Sequence, residues 1–150
     1  MTTDNADVEN QLATAIMTKF NALIDGEHNA FWIALNGKLF DGDASGNDFP
    51  YSCFWFLPGN DDPTFTEEIK DHLIQFDFFS SVSAADARRL RFLAMQLFHE
   101  KSLTMTGSTV VWIRGQNVSG GSIPEDMPTQ DAGNKVWHAI AEYEVKTSLN

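Results

Sequence analysis

The sequence predicts an α+β domain: a mostly antiparallel sheet with two helices packed on one face, plus a short hairpin and a long loop. Three observations carry this. Two windows place apolar residues at the three- and four-residue steps of an amphipathic helix. Four others have the alternation, or the aromatic and β-branched content, of strands. The strands also follow one another through loops, which favours antiparallel pairing with the helices on one face. The chain has 150 residues and a mass of 16.7 kDa, which fits one domain over residues 1–150.

The first helix is marked by Val8, Leu12, Ile16 and Phe20, with Ala15 and Leu23 on the same stripe. Asp4 or Asn5 suits its N-cap, Asp7 and Glu9 favour its positive end, and Asp25-Gly26 is the expected stop. Phe31 to Leu35, Asn36-Gly37 and Lys38 to Phe40 then read as a short hairpin, since Asn-Gly between apolar runs suits a tight turn. A polar loop spans Asp41 to Asp48. Tyr51 to Leu57 reads as a strand stopped by Pro58-Gly59, and its near-continuous apolarity implies burial on both faces.

After a polar loop from Asn60 to Thr66, Glu67 to Phe79 reads as a long strand. His72, Ile74, Phe76 and Phe78 form its core face, and Leu73, Gln75, Asp77 and Phe79 the other. Ser83-Ala84-Ala85-Asp86 has the spacing of a capping box, and the helix behind it runs to about Lys101. Ala87, Leu90, Ala94, Leu97 and Phe98 make its apolar stripe, while Arg88, Arg89, Arg91 and Gln96 face solvent or a partner. Thr109 to Ile113 is a further strand. Gly115 to Gly133, with four Gly and two Pro, reads as a long loop of the kind that is functional or orders against a partner. Lys135 to Lys146 closes the series with clean alternation.

Twenty-one acidic against ten basic residues give a net charge of −11. This argues against a protein whose main affinity is for a phosphate backbone or an anionic membrane. Apolar runs fall far short of a membrane span, and the acidic N-terminus lacks the form of a secretory signal. The charge is uneven. Nine acids and one base between Asp41 and Asp77 make a region of −8, whereas Arg88, Arg89, Arg91 and Lys101 make the second helix basic. Charged surfaces usually serve solubility, but opposite regions on one chain also suit contacts between copies.

No catalytic set emerges. The four histidines lack zinc-ligand spacing, and the single Cys53 lies in an apolar strand, as an inert buried thiol would. Gly-x-Ser-x-Gly and a phosphate-binding glycine loop are both missing. Asp61-Asp62 and Glu67-Glu68 lack the spacing of a calcium loop. The expectation is therefore no enzyme, no cofactor and no metal. A small-molecule enzyme or binding domain is the alternative, with His72, Asp77, His138 and Glu142 as candidates across adjacent strands.

The order of elements adds a resemblance. An aromatic strand after Asp48-Phe49-Pro50 ends in Leu57-Pro58-Gly59; Thr66-Glu67-Glu68-Ile69 leads into Leu73 to Ser80; a helix carries Asp86-Ala87-Arg88-Arg89-Leu90; and Gln130 to Gly133 precedes Trp137 to Val145. From Phe49 to Val145 this pattern resembles the tail terminator and tail completion (tail-to-head joining) proteins of long-tailed bacteriophages. The resemblance implies a structural virion protein, made in the host cytoplasm and without enzymatic activity. It would form a ring, typically a hexamer, at the head-proximal end of the tail. Its partners would be copies of itself, the tail tube protein and a head-neck connector or stopper. DNA would pass through the ring without specific binding. Another neck component, a stopper or adaptor, differs only in position.

A ring needs two unlike patches per subunit. The basic helix (Arg88, Arg89, Arg91) and the acidic stretch (Asp61, Asp62, Glu67, Glu68) are the candidate patches. Phe54 and Phe56 are the candidate apolar interface core.

Overall fold

The computed structural model describes residues 5–42, 48–57, 61–63, 68–99, 101, 103, 105, 108–116, 123–125 and 136–149. At 5–7, 61–63, 68–71, 108–116, 123–125 and 148–149 only the backbone is described. In chain order the elements are α1 (Asn5–Asn21), β1 (Leu23–Ile24), β2 (Glu27–His28), α2 (Ala30–Leu35), β3 (Leu39–Asp41), β4 (Tyr51–Leu57), β5 (Asp61–Pro63), β6 (Glu68–Ser80), α3 (Ala84–Phe98), β7 (Ser108–Gln116), β8 (Ile123–Glu125) and β9 (Val136–Leu149). The fold is α+β. The main sheet runs β3-β4-β6-β9-β7, with β5 extending the β4 side of β6 and β8 pairing with β9. Its pairings are antiparallel except β3 with β4, which is parallel.

The strand alternations set the two faces. Phe54, Ile74, Phe76, Phe78, Ala139, Ala141, Tyr143 and Val145 share one face and one core with the buried stripes of all three helices. Leu12, Ile16 and Phe20 come from α1, Phe31 and Leu35 from α2, and Ala87, Leu90, Ala94 and Phe98 from α3. Small residues at 87, 94, 139 and 141 leave room for the rings of Phe76, Phe98 and Tyr143, which meet at centroid distances of 5.3 to 6.3 Å. The Tyr143 hydroxyl is buried with no hydrogen-bond partner among the described residues, and burial pushes its phenol above the ordinary value. Among the described residues, no helix is long and apolar enough to cross a membrane.

Two glycine dipeptides exchange the roles expected of them. Asn36-Gly37 ends a helix. Asn36 (φ 52°) and Gly37 (φ 78°) are left-handed, the Asn36 N–H donates to the Ile33 carbonyl, and the Gly37 N–H donates to that of Trp32. This is a Schellman close to α2, where the sequence predicted the turn of a hairpin. Residues 31–35 are helical because Asn29 caps them, accepting from the Trp32 N–H at 2.8 Å, and because Phe31 and Leu35 stand one turn apart on the core side. Asp25-Gly26, expected to end the first helix, instead makes the hairpin. Both residues have positive φ (54° and 79°) and join β1 to β2 with Leu23 opposite His28, the geometry of a tight two-residue turn. Asn-Gly and Asp-Gly both supply left-handed residues, which the helix close needs at Asn36 and the two-residue turn at both Asp25 and Gly26.

Other expectations stand with smaller changes. The capping box is half made: Ser83 accepts from the Asp86 N–H, but the Asp86 carboxylate accepts from the Ser80 hydroxyl at 2.6 Å instead of reaching back to the cap. The helix ends at Phe98. The stretch 115–133 is not wholly loop, since Gly115 and Gln116 finish β7 and residues 123–125 form β8; its remainder lies outside the described residues. So do Asp4, residues 43–47 and most of 58–67, apart from β5. Among the described residues there are three helices in place of two, because α2 replaces the first arm of the expected hairpin.

Candidate functional site

The sheet face away from the helices carries two adjoining groups. The first is a row of rings crossing the strands: Phe49 on Tyr51 (5.4 Å), Tyr51 on Phe79 (4.9 Å) and Phe79 on His138 (4.5 Å). Cys53 is buried among Tyr51, Phe40, Phe49 and Phe79, as its apolar strand implied. The second is polar and centred on Asp77. Its Oδ2 accepts from Trp55 Nε1 at 2.7 Å, and its Oδ1 accepts from Gln75 Nε2 at 2.9 Å. His138 Nε2 lies 2.9 Å from the same Oδ1. A carboxylate only accepts, so Nε2 is the protonated nitrogen of His138. The register places these groups together, Cys53 and Trp55 on β4 lying opposite Asp77 and Gln75 on β6, with Phe79 opposite His138 on β9.

Asp77 and His138 are 6% and 9% exposed. Burial opposes ionisation of Asp77, but the hydrogen bonds from His138, Gln75 and Trp55, with attraction to His138, outweigh it and hold the carboxyl below its ordinary value. Three donors aimed at one carboxylate tie β4, β6 and β9 together. The arrangement is a closed network, and the carboxylate has its acceptor sites committed to neighbours. Among the four residues proposed for a pocket, the fold joins Asp77 with His138. It sends His72 to the helix side, where its Nε2 meets the Thr147 hydroxyl at 3.0 Å. Glu142 lies on the same face as Asp77, opposite Gln75 in register. Trp55 and Gln75, the other members of the network, escaped sequence reasoning. Their only signal was position: Gln75 stands two residues from Asp77 on one strand face, and Trp55, on another strand, comes opposite Gln75 only once the register is known.

The expected assembly residues fall in three places. Arg88 and Arg89 are exposed on α3, and Arg91 is half-buried beside them. Asp61 and Asp62 belong to β5, opposite Lys70 and Ile69, and Glu68 opens β6; Glu67 lies outside the described residues. Phe54 must be withdrawn from the surface, because it is fully buried under the helices against Phe76 and Phe56. Phe56 packs partly buried against the same core, and the exposed aromatic of β4 is Trp55. Alternation explains the exchange: residues 54 and 56 point to the helix side and residue 55 to the other.

On the helix layer, Ala85, Arg88, Arg89, Phe92 and Gln96 form one exposed stripe along α3, and Val82 is exposed just before it. An open groove of about 600 Å³ runs along α1, lined by Ala13, Thr14, Met17, Asn21 and Ala22 with Asp41 of β3. Among the described residues, no three His, Cys, Asp or Glu side chains gather as a metal site.

No family model matches the sequence, and no curated protein matches it. Its fold does match solved structures. One is a chain of the "Virion of native gene transfer agent (GTA) particle", with a TM-score of 0.64 and 12% identity over 93% of this chain and 97% of that one. At that identity the likeness is one of fold, and it extends across nearly the whole of both chains.

Proposed function

We propose that this chain is a structural component of a phage-like virion. It closes into a ring, a hexamer by the resemblance, at the head-proximal end of the tail, where it ends tube polymerisation and joins tail to head. The observation that carries the reading is the end-to-end fold likeness to a chain of a gene-transfer-agent virion. It agrees with the tail-terminator pattern between Phe49 and Val145, which is an independent line of argument. The Asp77 network agrees with it, because the carboxylate is held by donors from three strands. In this reading the partners are neighbouring copies, the tail tube protein and a connector or stopper. DNA passes through the ring without specific binding, as the net charge of −11 favours.

Electron microscopy of the purified protein, alone and with tails, tests it. Closed rings, or a cap at the upper end of the tube, are expected. Arg88→Glu with Arg89→Glu is expected to weaken ring formation while leaving the melting temperature close to that of the parent, since both side chains are exposed. A monomer that never joins tails overturns the proposal. Labelling of virions at a different neck position assigns the stopper or adaptor role instead.

A further inference from the structure

We propose that the β1–β2 hairpin of one copy docks on the exposed stripe of α3 in the next, forming the head-to-tail contact of the ring. The proposal rests on the ring reading above and names the two surfaces that meet.

The hairpin is an acidic ledge with one apolar anchor. Ile24 and Glu27 pair across it and share one face, while Leu23 shares the other with His28. Ile24 is 71% exposed, and Glu27 and the turn residue Asp25 are exposed acids. Scattered exposed aliphatics are ordinary, but here one stands beside acids on a segment held in place. Asp25-Gly26 fixes the turn, and His28 stacks on Trp32 of α2 at 3.7 Å with the rings 8° from parallel. Trp32 Nε1 donates to Asn21 Oδ1, and Asn29 Nδ2 donates to the Phe20 carbonyl at the end of α1. A ledge ordered in the free chain loses little freedom on docking.

The α3 stripe is its complement. Phe92 (51% exposed) supplies an apolar anchor one turn from Arg88 and Arg89, and Val82 (74%) is exposed just before the helix. An aliphatic residue beside acids thus faces two arginines beside an aromatic residue. Aromatic and arginine side chains are the types that anchor interfaces, and opposite charges set the orientation. The patches lie on different parts of the helix layer. The hairpin follows α1, which borders β3, whereas α3 packs on β9, β6 and β7. Two unlike patches on one chain make a heterologous contact, which closes into a ring when the rotation allows.

Two full-length variants test this by sedimentation velocity and native mass spectrometry: a hairpin variant, Ile24→Ser with Glu27→Lys, and a helix variant, Arg88→Glu with Phe92→Ser. All four positions are exposed, so each variant is expected to melt like the parent. Each should weaken self-association roughly tenfold to a hundredfold, the factor carried by one aliphatic or aromatic side chain left unburied. Mixed together, they should form a 1:1 heterodimer that grows no further. The helix variant's intact hairpin meets the hairpin variant's intact α3, and the remaining patches are disabled. That stoichiometry requires both variants to be folded.

A closed oligomer unaffected by either variant overturns the hairpin contact and leaves the ring reading standing. Variants that still form rings but no longer join tails overturn it as well, assigning the patches to another virion protein. A parent chain that stays monomeric, alone and with tail tubes, overturns the ring reading and this contact with it.

Discussion

On the helix side of the sheet, Phe54, Ile74, Phe76 and Phe78 meet three helices and are held by apolar packing alone. On the opposite side, the intervening residues of the same strands hold each other: Tyr51 stacks on Phe79, Phe79 on His138, and Asp77 gathers donors from three strands. The difference shows how a sheet covered by helices on one face can order the other. Apolar burial is strong and non-directional, so it fixes the layers. A buried carboxylate with three donors is directional, so it fixes strand register, because a slip by one residue would strand the charge.

The largest break in this comparison is expected from Phe76→Ala. The ring is fully buried among Phe54, Phe98 and Tyr143, and its loss should cost about 3–5 kcal/mol in denaturant unfolding. Asp77→Asn comes next, at about 2–3 kcal/mol at neutral pH, because it removes the charge and turns an amide donor toward an existing one. Its pH dependence sharpens the contrast. The Asp77 carboxyl is held below its ordinary value in the fold. Its stabilisation is therefore fully present above the unfolded pKa of about 3.9 and lost as pH falls through the lower folded value. The gap between parent and Asp77→Asn should narrow below about pH 4, whereas the Phe76→Ala gap should not depend on Asp77 ionisation. Trp55→Phe should cost least, about 1 kcal/mol, since it deletes one donor and leaves Gln75 and His138 in place. A Trp55→Phe loss as large as that of Phe76→Ala would show that the outer face is held by aromatic packing rather than by the carboxylate.

The long, strongly periodic segments were legible. In β6 the alternation assigned His72, Ile74, Phe76 and Phe78 to the correct face, in β9 the alternation itself was readable and separates Ala139, Ala141, Tyr143 and Val145 from their neighbours, and in α3 the stripe and Ser83 cap were readable from spacing. Residues 31–35 were not, because five apolar residues with two rings and an Ile fit a buried strand as well as a short helix. What decides between them is Asn29 upstream and the Phe31–Leu35 step, and both are weak signals until the cap is seen. The parallel pairing of β3 with β4 was illegible for another reason: a three-residue strand has too little pattern to show direction. The candidate site was half legible. Asp77 and His138 stood out as titratable groups in strands. Their junction across 61 positions depends on β9 lying beside β6, a tertiary fact that local patterns do not encode.

β9 is the last strand in the order, yet it lies between β6 and β7. Until residues 136–149 arrive, β7 has no ladder neighbour among the described residues and β6 exposes an open hydrogen-bonding edge along twelve paired positions. Synthesis therefore leaves the β9 edge of β6, and β7, waiting on one late segment, and premature association between unfinished chains would find that edge available. A chain built this way completes its sheet only when β9 has zipped between β6 and β7.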